Sequence, residues 1–169
     1  VVVGSCNVDM AVYTPRAPRA GETVLGSRLA VGPGGKGANQ ATAARRCGCE
    51  TVFVAKTGRD FFADIIREHF ASEGISCEFV KACGEATGTA TIIVGESEDP
   101  LSGEKAGENR IVVVAGANAQ LSPKDVLEAE ERIKACSAVL CQLEAGPEAT
   151  IQALLLAKKY GKISILNPA

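Results

Sequence analysis

Hydrophobic positions along the chain form two patterns: short continuous apolar runs, and longer stretches in which apolar residues recur at helical spacing. The short runs are rich in β-branched residues, which is typical of strands buried on both faces of a parallel sheet. Four such strands are predicted, at residues 1–5, 51–57, 137–143 and 163–167.

Helical segments with recognisable ends separate these strands. One is predicted over residues 37–47, with Gly48 positioned to end it in a left-handed conformation. Three more are predicted from a capping residue or from a proline in the first turn, and their start signals are Asp60, Ser122 and Pro147. The recurring order of strand, helix and strand predicts an α/β fold, in which βαβ units form a parallel core sheet flanked by helices.

Two stretches depart from this order, residues 11–31 and 87–115. Both are rich in β-branched residues and turn formers and lack a helical period, which predicts antiparallel strands in a separate small sheet. The core is then expected to comprise residues 1–10, 32–86 and 116–169. Residues 96–109, with five acidic residues, two glycines and a proline, predict a mobile, solvated loop.

Composition narrows the classes of function. The 169 residues, 46% of them hydrophobic, suffice for one substantial core. A net charge of -2 argues against a nucleic-acid partner, and no apolar run approaches the ~20 residues of a membrane helix, so a cytoplasmic protein is expected. The seven cysteines include no C-x-x-C pair, which predicts free thiols. The only histidine, His69, lies inside a predicted helix and is expected to have no catalytic or metal role.

The glycine-rich segment 32–40 leads from a turn into a predicted helix. Glycine lets the backbone approach a ligand closely, and a helix start supplies unpaired N–H donors. The G-x-G-x-x-G spacing of Gly32, Gly34 and Gly37 does not follow the first strand, as a dinucleotide site requires. Lys36 precedes a glycine rather than Ser or Thr, which argues against a nucleotide P-loop. A purely structural turn and a turn that binds a polyol remain as interpretations.

Polar residues follow two of the predicted strands. Asn7 and Asp9 come after the first strand and point to one side of an extended chain, and Glu144 follows the third strand. Ligands of α/β sheets bind beyond the carboxyl ends of the strands, and carboxylate, amide and ammonium groups suit sugar hydroxyls. Together with Lys36 and Asn39, these residues are candidates for a polyol site; taken singly, each could instead be a loop or helix cap.

Short motifs in a fixed order resemble the ribokinase family of carbohydrate kinases. They are Gly-Ser-Cys-Asn-Val-Asp at 4–9, Gly-Glu-Thr-Val at 21–24, Gly-Gly-Lys-Gly-Ala-Asn-Gln at 34–40, Ala-Gly-Ala-Asn at 115–118 and Gln-Leu-Glu at 142–144. The resemblance implies that the small sheet is a lid over the sugar and that lids pair in a homodimer. It also implies use of ATP, Mg²⁺ and a monovalent cation, K⁺.

The same resemblance implies transfer of the ATP γ-phosphoryl group to the 5-hydroxyl of D-ribose. The substrate-binding residues it implies are Asn7, Asp9, Gly35, Lys36, Asn39 and Glu144, with Thr89 and Thr91 as weaker candidates. The C-terminal half of such a kinase, with its catalytic aspartate, is expected beyond Ala169, so no catalytic residue is assigned here and the chain alone is expected to be inactive. Another sugar kinase such as fructokinase, a nucleoside kinase, and a non-catalytic sugar-binding or dimerisation module stay open as alternatives.

Overall fold

The computed structural model describes residues 1–98, 101, 103 and 106–169. The strands are β1 (Val2–Val3), β2 (Asn7–Thr14), β3 (Arg28–Gly34), β4 (Phe53–Thr57), β5 (Val80–Ala82), β6 (Gly88–Gly95), β7 (Asn109–Val114), β8 (Ala138–Gln142) and β9 (Ile163–Asn167). The helices are α1 (Lys36–Arg46), α2 (Phe61–Ser72), α3 (Pro123–Glu128), α4 (Glu130–Ala135) and α5 (Pro147–Lys159), with a 3₁₀ helix at Gly116–Gln120.

The core is a five-stranded parallel sheet in the order β5-β4-β1-β8-β9, which confirms the predicted α/β architecture. Val2 pairs with Phe53 of β4 and with Leu140 of β8, so β1 is the central strand. One face of the sheet packs on α1 and α2, where Phe70 is fully buried, and the other packs on α3, α4 and α5 around Ile133. Burial on both faces explains why β1, β4 and β8 read as continuous apolar runs, whereas the apolar edge strand β9 is exposed in this chain.

The second sheet has four strands in the order β3-β2-β6-β7 and is mixed rather than antiparallel. The outer pairs are antiparallel as predicted, but β2 and β6 run parallel. The reason is topological: both strands follow a strand of the parallel core, β1 and β5, and therefore leave the same edge in the same direction. Five residues of the acidic loop at 96–109 lie outside the described residues, and its predicted mobility stays a prediction.

Several boundaries differ from the sequence-based prediction. Only Val2–Val3 of the first apolar run pairs as core strand, and β2 already begins at Asn7, four residues later. The helix predicted from Ser122 is interrupted at Ala129, which separates α3 from α4. The three-residue strand β5 was not predicted, because Val-Lys-Ala is too short to show a period. Within the described residues, no helix is long and apolar enough to cross a membrane.

Candidate functional site

The chain entering α1 packs tightly against the segment between β1 and β2. Gly35 has φ 87°, a conformation that favours glycine, and a Cβ there would lie 2.9 Å from the backbone N of Asn7. A Cβ on Gly37 would lie 2.7 Å from the backbone N and O of Ser5. Glycine at these two positions is therefore needed for the helix start to reach the end of the core sheet.

The first three N–H groups of α1 are all occupied within the protein. Glu144 Oε2 accepts from Lys36 at 2.9 Å, Ser5 Oγ accepts from Gly37 at 3.3 Å, and the Ser5 carbonyl accepts from Ala38 at 2.9 Å. The residue before the helix is a glycine and makes no side-chain cap, so residues from distant strands supply the capping oxygens. The expectation that this helix start offers unpaired donors to a ligand is wrong for these three positions.

Lys36 and Glu144 also form an ion pair, with Nζ and Oε1 2.8 Å apart. Ser5 Oγ donates to the other carboxylate oxygen, Oε2, at 2.7 Å. Partial burial tends to raise the pKa of Glu144, but the hydrogen bonds from Lys36 and Ser5 outweigh burial and hold its pKa below the ordinary value. Both charged side chains keep part of their surface open to solvent, so a ligand can still reach them.

Asp9 faces the same region from β2. Its carboxyl is partly buried, and burial and then the negative charge of Glu144 raise its pKa above the ordinary value. The Asp9 carboxyl occupies the space beside Gly34, two residues before Lys36, and so lies next to the helix start that Glu144 caps, although 135 positions of sequence separate Asp9 from Glu144. The structure thus gathers Asp9, Lys36 and Glu144, three of the residues predicted from the sequence.

Asn7 is held in place by a buried asparagine that the candidate set did not include. Asn118 is 2% exposed, and its Nδ2 donates to Asn7 Oδ1 at 2.7 Å and to the Cys6 carbonyl at 3.1 Å. The backbone N–H of Cys6 donates back to Asn118 Oδ1 at 2.9 Å. Asn118 belongs to one of the motifs of the family resemblance, and that motif was the only sequence signal that could have found it.

The remaining candidates lie in different positions. Asn39 is exposed on α1, three residues after Lys36, and the two share one side of the helix. Thr89 and Thr91 pair in register with residues 8 and 10 of β2. They therefore lie on the face of the small sheet opposite Asp9, and they do not line the space that Asp9 faces.

Two further kinds of reactive side chain are present, a histidine and free cysteines. His69 is on α2, where its Nε2 is 3.0 Å from Thr42 Oγ1 of α1, so its ring bridges two helices. The cysteines of the described residues are free thiols, two of them buried. Within the described residues, no group of three or more His, Cys, Asp or Glu side chains is placed to hold a metal ion.

Fold and site together define a class of protein. A parallel sheet with helices on both faces carries charged and amide side chains beyond its carboxyl edge, and a small sheet rises from that same edge. This is the arrangement of an α/β domain that binds a small polar ligand at the ends of its strands.

Comparison with known proteins identifies the family. The sequence pattern of the pfkB family carbohydrate kinases matches residues 1–169, and the chain belongs to this family. Mouse ribokinase is 41% identical over 170 residues, covering all of this chain and 50% of that protein. Salmonella typhi deoxyribokinase is 37% identical over 169 residues, covering 99% of this chain and 52% of that protein.

A solved structure has the same fold at similar coverage. Arabidopsis thaliana ribokinase, in complex with ribose and ATP, superposes with a TM-score of 0.83 at 31% identity, over 99% of this chain and 52% of that chain. The chain therefore spans about half the length of the relatives it matches.

Proposed function

We propose that this chain forms the sugar-binding part of a ribokinase, which transfers the γ-phosphoryl group of ATP to the 5-hydroxyl of D-ribose. The observation that carries the proposal is the cluster of Asp9, Lys36 and Glu144 at the carboxyl edge of the core sheet. Carboxylates accept hydrogen bonds from adjacent sugar hydroxyls, and an ammonium group donates to them. The identity to mouse ribokinase, 41%, supports ribose as the sugar.

Lys36 and Asn7 both have hydrogen-bonding capacity left for a sugar. An ammonium has three donors, and the pair with Glu144 Oε1 uses one of those on Lys36. Asn7 Oδ1 accepts from Asn118, while its amide N–H₂ is a donor of the kind that sugar oxygens accept. We infer that Asp9 binds a vicinal pair of hydroxyls, and that Gly35, Lys36, Asn39 and Glu144 complete the set of contacts.

The cofactors implied by the family belong to the same proposal. ATP supplies the phosphoryl group and Mg²⁺ supplies positive charge that neutralises the phosphates, whereas K⁺ is proposed from the family resemblance alone. Following the family resemblance, we propose that these sites and the catalytic base lie in the half of the relatives that this chain does not span. Binding and orienting the sugar is the role proposed for this chain. On its own, the chain is expected neither to hydrolyse ATP nor to transfer its γ-phosphoryl group.

A homodimer formed through the small sheet is part of the proposal. Strand β7 lies at the edge of this sheet and exposes apolar side chains on both faces, at Ile111 (51%), Val112 (67%), Val113 (54%) and Val114 (58%). Exposed apolar side chains on an edge strand are typical of an interaction site. We infer that one face covers the bound sugar and that the other packs on the small sheet of a second copy, in the cytoplasm.

A substrate panel tests the proposed function. The full-length protein that contains this chain is assayed for ADP production with ribose, 2-deoxyribose, fructose and adenosine at saturating ATP. Ribose is expected to give the highest kcat/KM. A higher kcat/KM for 2-deoxyribose would assign the protein to the activity named for its Salmonella typhi relative. If none of the four gave ADP above the sugar-free rate, the kinase assignment would fail.

A further inference from the structure

Ser5 occupies a place in the site that neither the candidate set nor the proposed sugar contacts include. It is 1% exposed and lies between β1 and β2, directly beneath the first turn of α1. Its Oγ accepts from the backbone N–H of Gly37 at 3.3 Å and donates to Glu144 Oε2 at 2.7 Å. Its carbonyl oxygen accepts from the N–H of Ala38 at 2.9 Å.

The chemistry of a hydroxyl suits this position. A hydroxyl is at once a donor and an acceptor, so the side chain of Ser5 can join a helix N–H to a carboxylate in a single step. Alanine would leave the buried amide of Gly37 without a partner, which is costly, and would remove one hydrogen bond from the partly buried carboxylate of Glu144. Since a Cβ on Gly37 would lie 2.7 Å from the Ser5 backbone, the contact also depends on glycine at that position.

Ser5 therefore has a direct connection to the groups proposed to bind the sugar. Glu144 Oε2 is fixed by Ser5 Oγ and by the N–H of Lys36, which leaves Oε1 directed at Lys36 Nζ. The two bonds to Oε2 determine the orientation of the Glu144 carboxylate. That orientation in turn determines where the Lys36 ammonium lies. Burial, and then the negative charge of the same carboxylate, raise the pKa of Asp9.

We propose that Ser5 is a positioning residue of the sugar site, whose hydroxyl couples the start of α1 to Glu144 and so sets the orientation of the Glu144 and Lys36 pair. The inference rests on the proposed function, because it assumes that this pair contacts the sugar. Ser5 acts through Glu144 and does not touch the sugar itself.

The kinetic test is a double-mutant cycle in the full-length protein. Ser5→Ala is expected to lower kcat/KM for ribose by about tenfold or more, the loss typical of a hydrogen bond to a charged group. In a Glu144→Ala background, the same change is expected to have a much smaller effect, because the side chain through which Ser5 acts is gone. Losses that simply add would overturn the proposal.

The pH profile separates positioning from a general loss of stability. Because the bond from Ser5 helps to lower the pKa of Glu144, Ser5→Ala should raise the pH at which Glu144 takes up a proton. The acid limb of ribose binding is therefore compared in an Asp9→Asn background, where the raised pKa of Asp9 no longer sets it, and should move to higher pH. The matched control is Ser122→Ala, which removes a serine hydroxyl bonded to Asp125 at the start of α3. This control is expected to leave both the ribose kinetics and the acid limb unchanged; an equal shift in both variants would contradict the role of Ser5.

A third measurement needs neither a variant nor a working kinase. In the wild-type protein, NMR hydrogen exchange follows the backbone amides of Lys36 and Gly37 as the pH is lowered. Protection of both amides, corrected for the intrinsic rate, should fall together when Glu144 takes up a proton. Coupled loss of protection without any ribose phosphorylation would support the coupling and reject the proposed function. Unchanged protection of Gly37 would reject the coupling, whatever the enzyme does.

Discussion

The carboxylate of Asp9 fills the space that a side chain at Gly34 would need. A Cβ built on Gly34 would lie 2.2 Å from the carboxyl carbon of Asp9 and from both of its oxygens. Gly32, which pairs directly with Asp9 across β2 and β3, differs in this respect. A Cβ on Gly32 would meet no atom of the described residues within 4 Å. Only one of these two glycines therefore determines where the Asp9 carboxylate can lie.

Gly34→Ala is expected to displace the Asp9 carboxylate without unfolding the protein. The clash involves the end of a side chain that can rotate, and Gly34 does not need a positive φ. Because a buried polar contact to the sugar is lost, KM for ribose should rise by about tenfold or more. Steady-state kinetics and thermal unfolding of the full-length protein measure the two effects. Gly32→Ala is the matched control, and equal KM values in both variants would remove Asp9 from the sugar contacts.

Asp9→Asn is expected to stabilise the unliganded protein above acidic pH while it weakens ribose binding. The pKa of Asp9 is raised in the folded state, so the folded protein holds this proton more firmly than the unfolded chain. Stability is therefore lost as the pH rises through the folded-state pKa, and the amide variant avoids that loss. Below the ordinary pKa of 3.8, wild type and variant should have the same contribution from this residue.

Denaturant unfolding at a series of pH values checks this expectation. The difference in the free energy of unfolding between variant and wild type should be near zero at the acid end and grow as the pH rises. Asp64→Asn, which changes an aspartate in the first turn of α2, is the control for loss of a carboxylate. A difference that does not vary with pH would show that Asp9 carries no unfavourable charge in the folded state.

The core of the fold follows from the sequence because its signals are local. The continuous apolar run that forms β9 and the capping of α2 by Asp60 can each be recognised from neighbouring residues, and the structure places both as predicted. The parallel pairing of β2 with β6 is different. These strands lie about 80 positions apart, and their relative direction depends on which edge of the core each one leaves.

The candidate site shows the same limit. Asp9 and Glu144 could be chosen because they follow strands, and strand ends converge in any parallel sheet. That Glu144 caps α1 rather than its own following helix could not be foreseen, because the contact with Lys36 joins positions 108 residues apart. Ser5 and Asn118 both lie in motifs of the family resemblance, but a buried serine or asparagine has no periodic signal, and their roles are seen only from their hydrogen-bond partners.

Asn118→Ala is expected to lower the free energy of unfolding by about 2 to 3 kcal/mol, because it leaves buried groups without partners. The side chain makes three hydrogen bonds, to the Cys6 N–H, the Cys6 carbonyl and Asn7 Oδ1. Denaturant unfolding measures the change. Asn109→Ala, at an exposed position of β7, is the control and should have little effect. Equal stability of the two variants would mean that the Asn118 bonds do not contribute to folding.

Val112→Glu is expected to separate the proposed homodimer into monomers that remain folded. Val112 is 67% exposed in the middle of β7, so a charge there does not disturb the core, but burying it in an interface without a partner is unfavourable. Sedimentation velocity of the full-length protein over a range of concentrations measures the association, and circular dichroism checks the fold. Val112→Thr keeps the β-branched shape and should remain a dimer. A wild-type protein that stays monomeric throughout this range, or a Glu variant that dimerises as tightly as wild type, would place the interface away from β7.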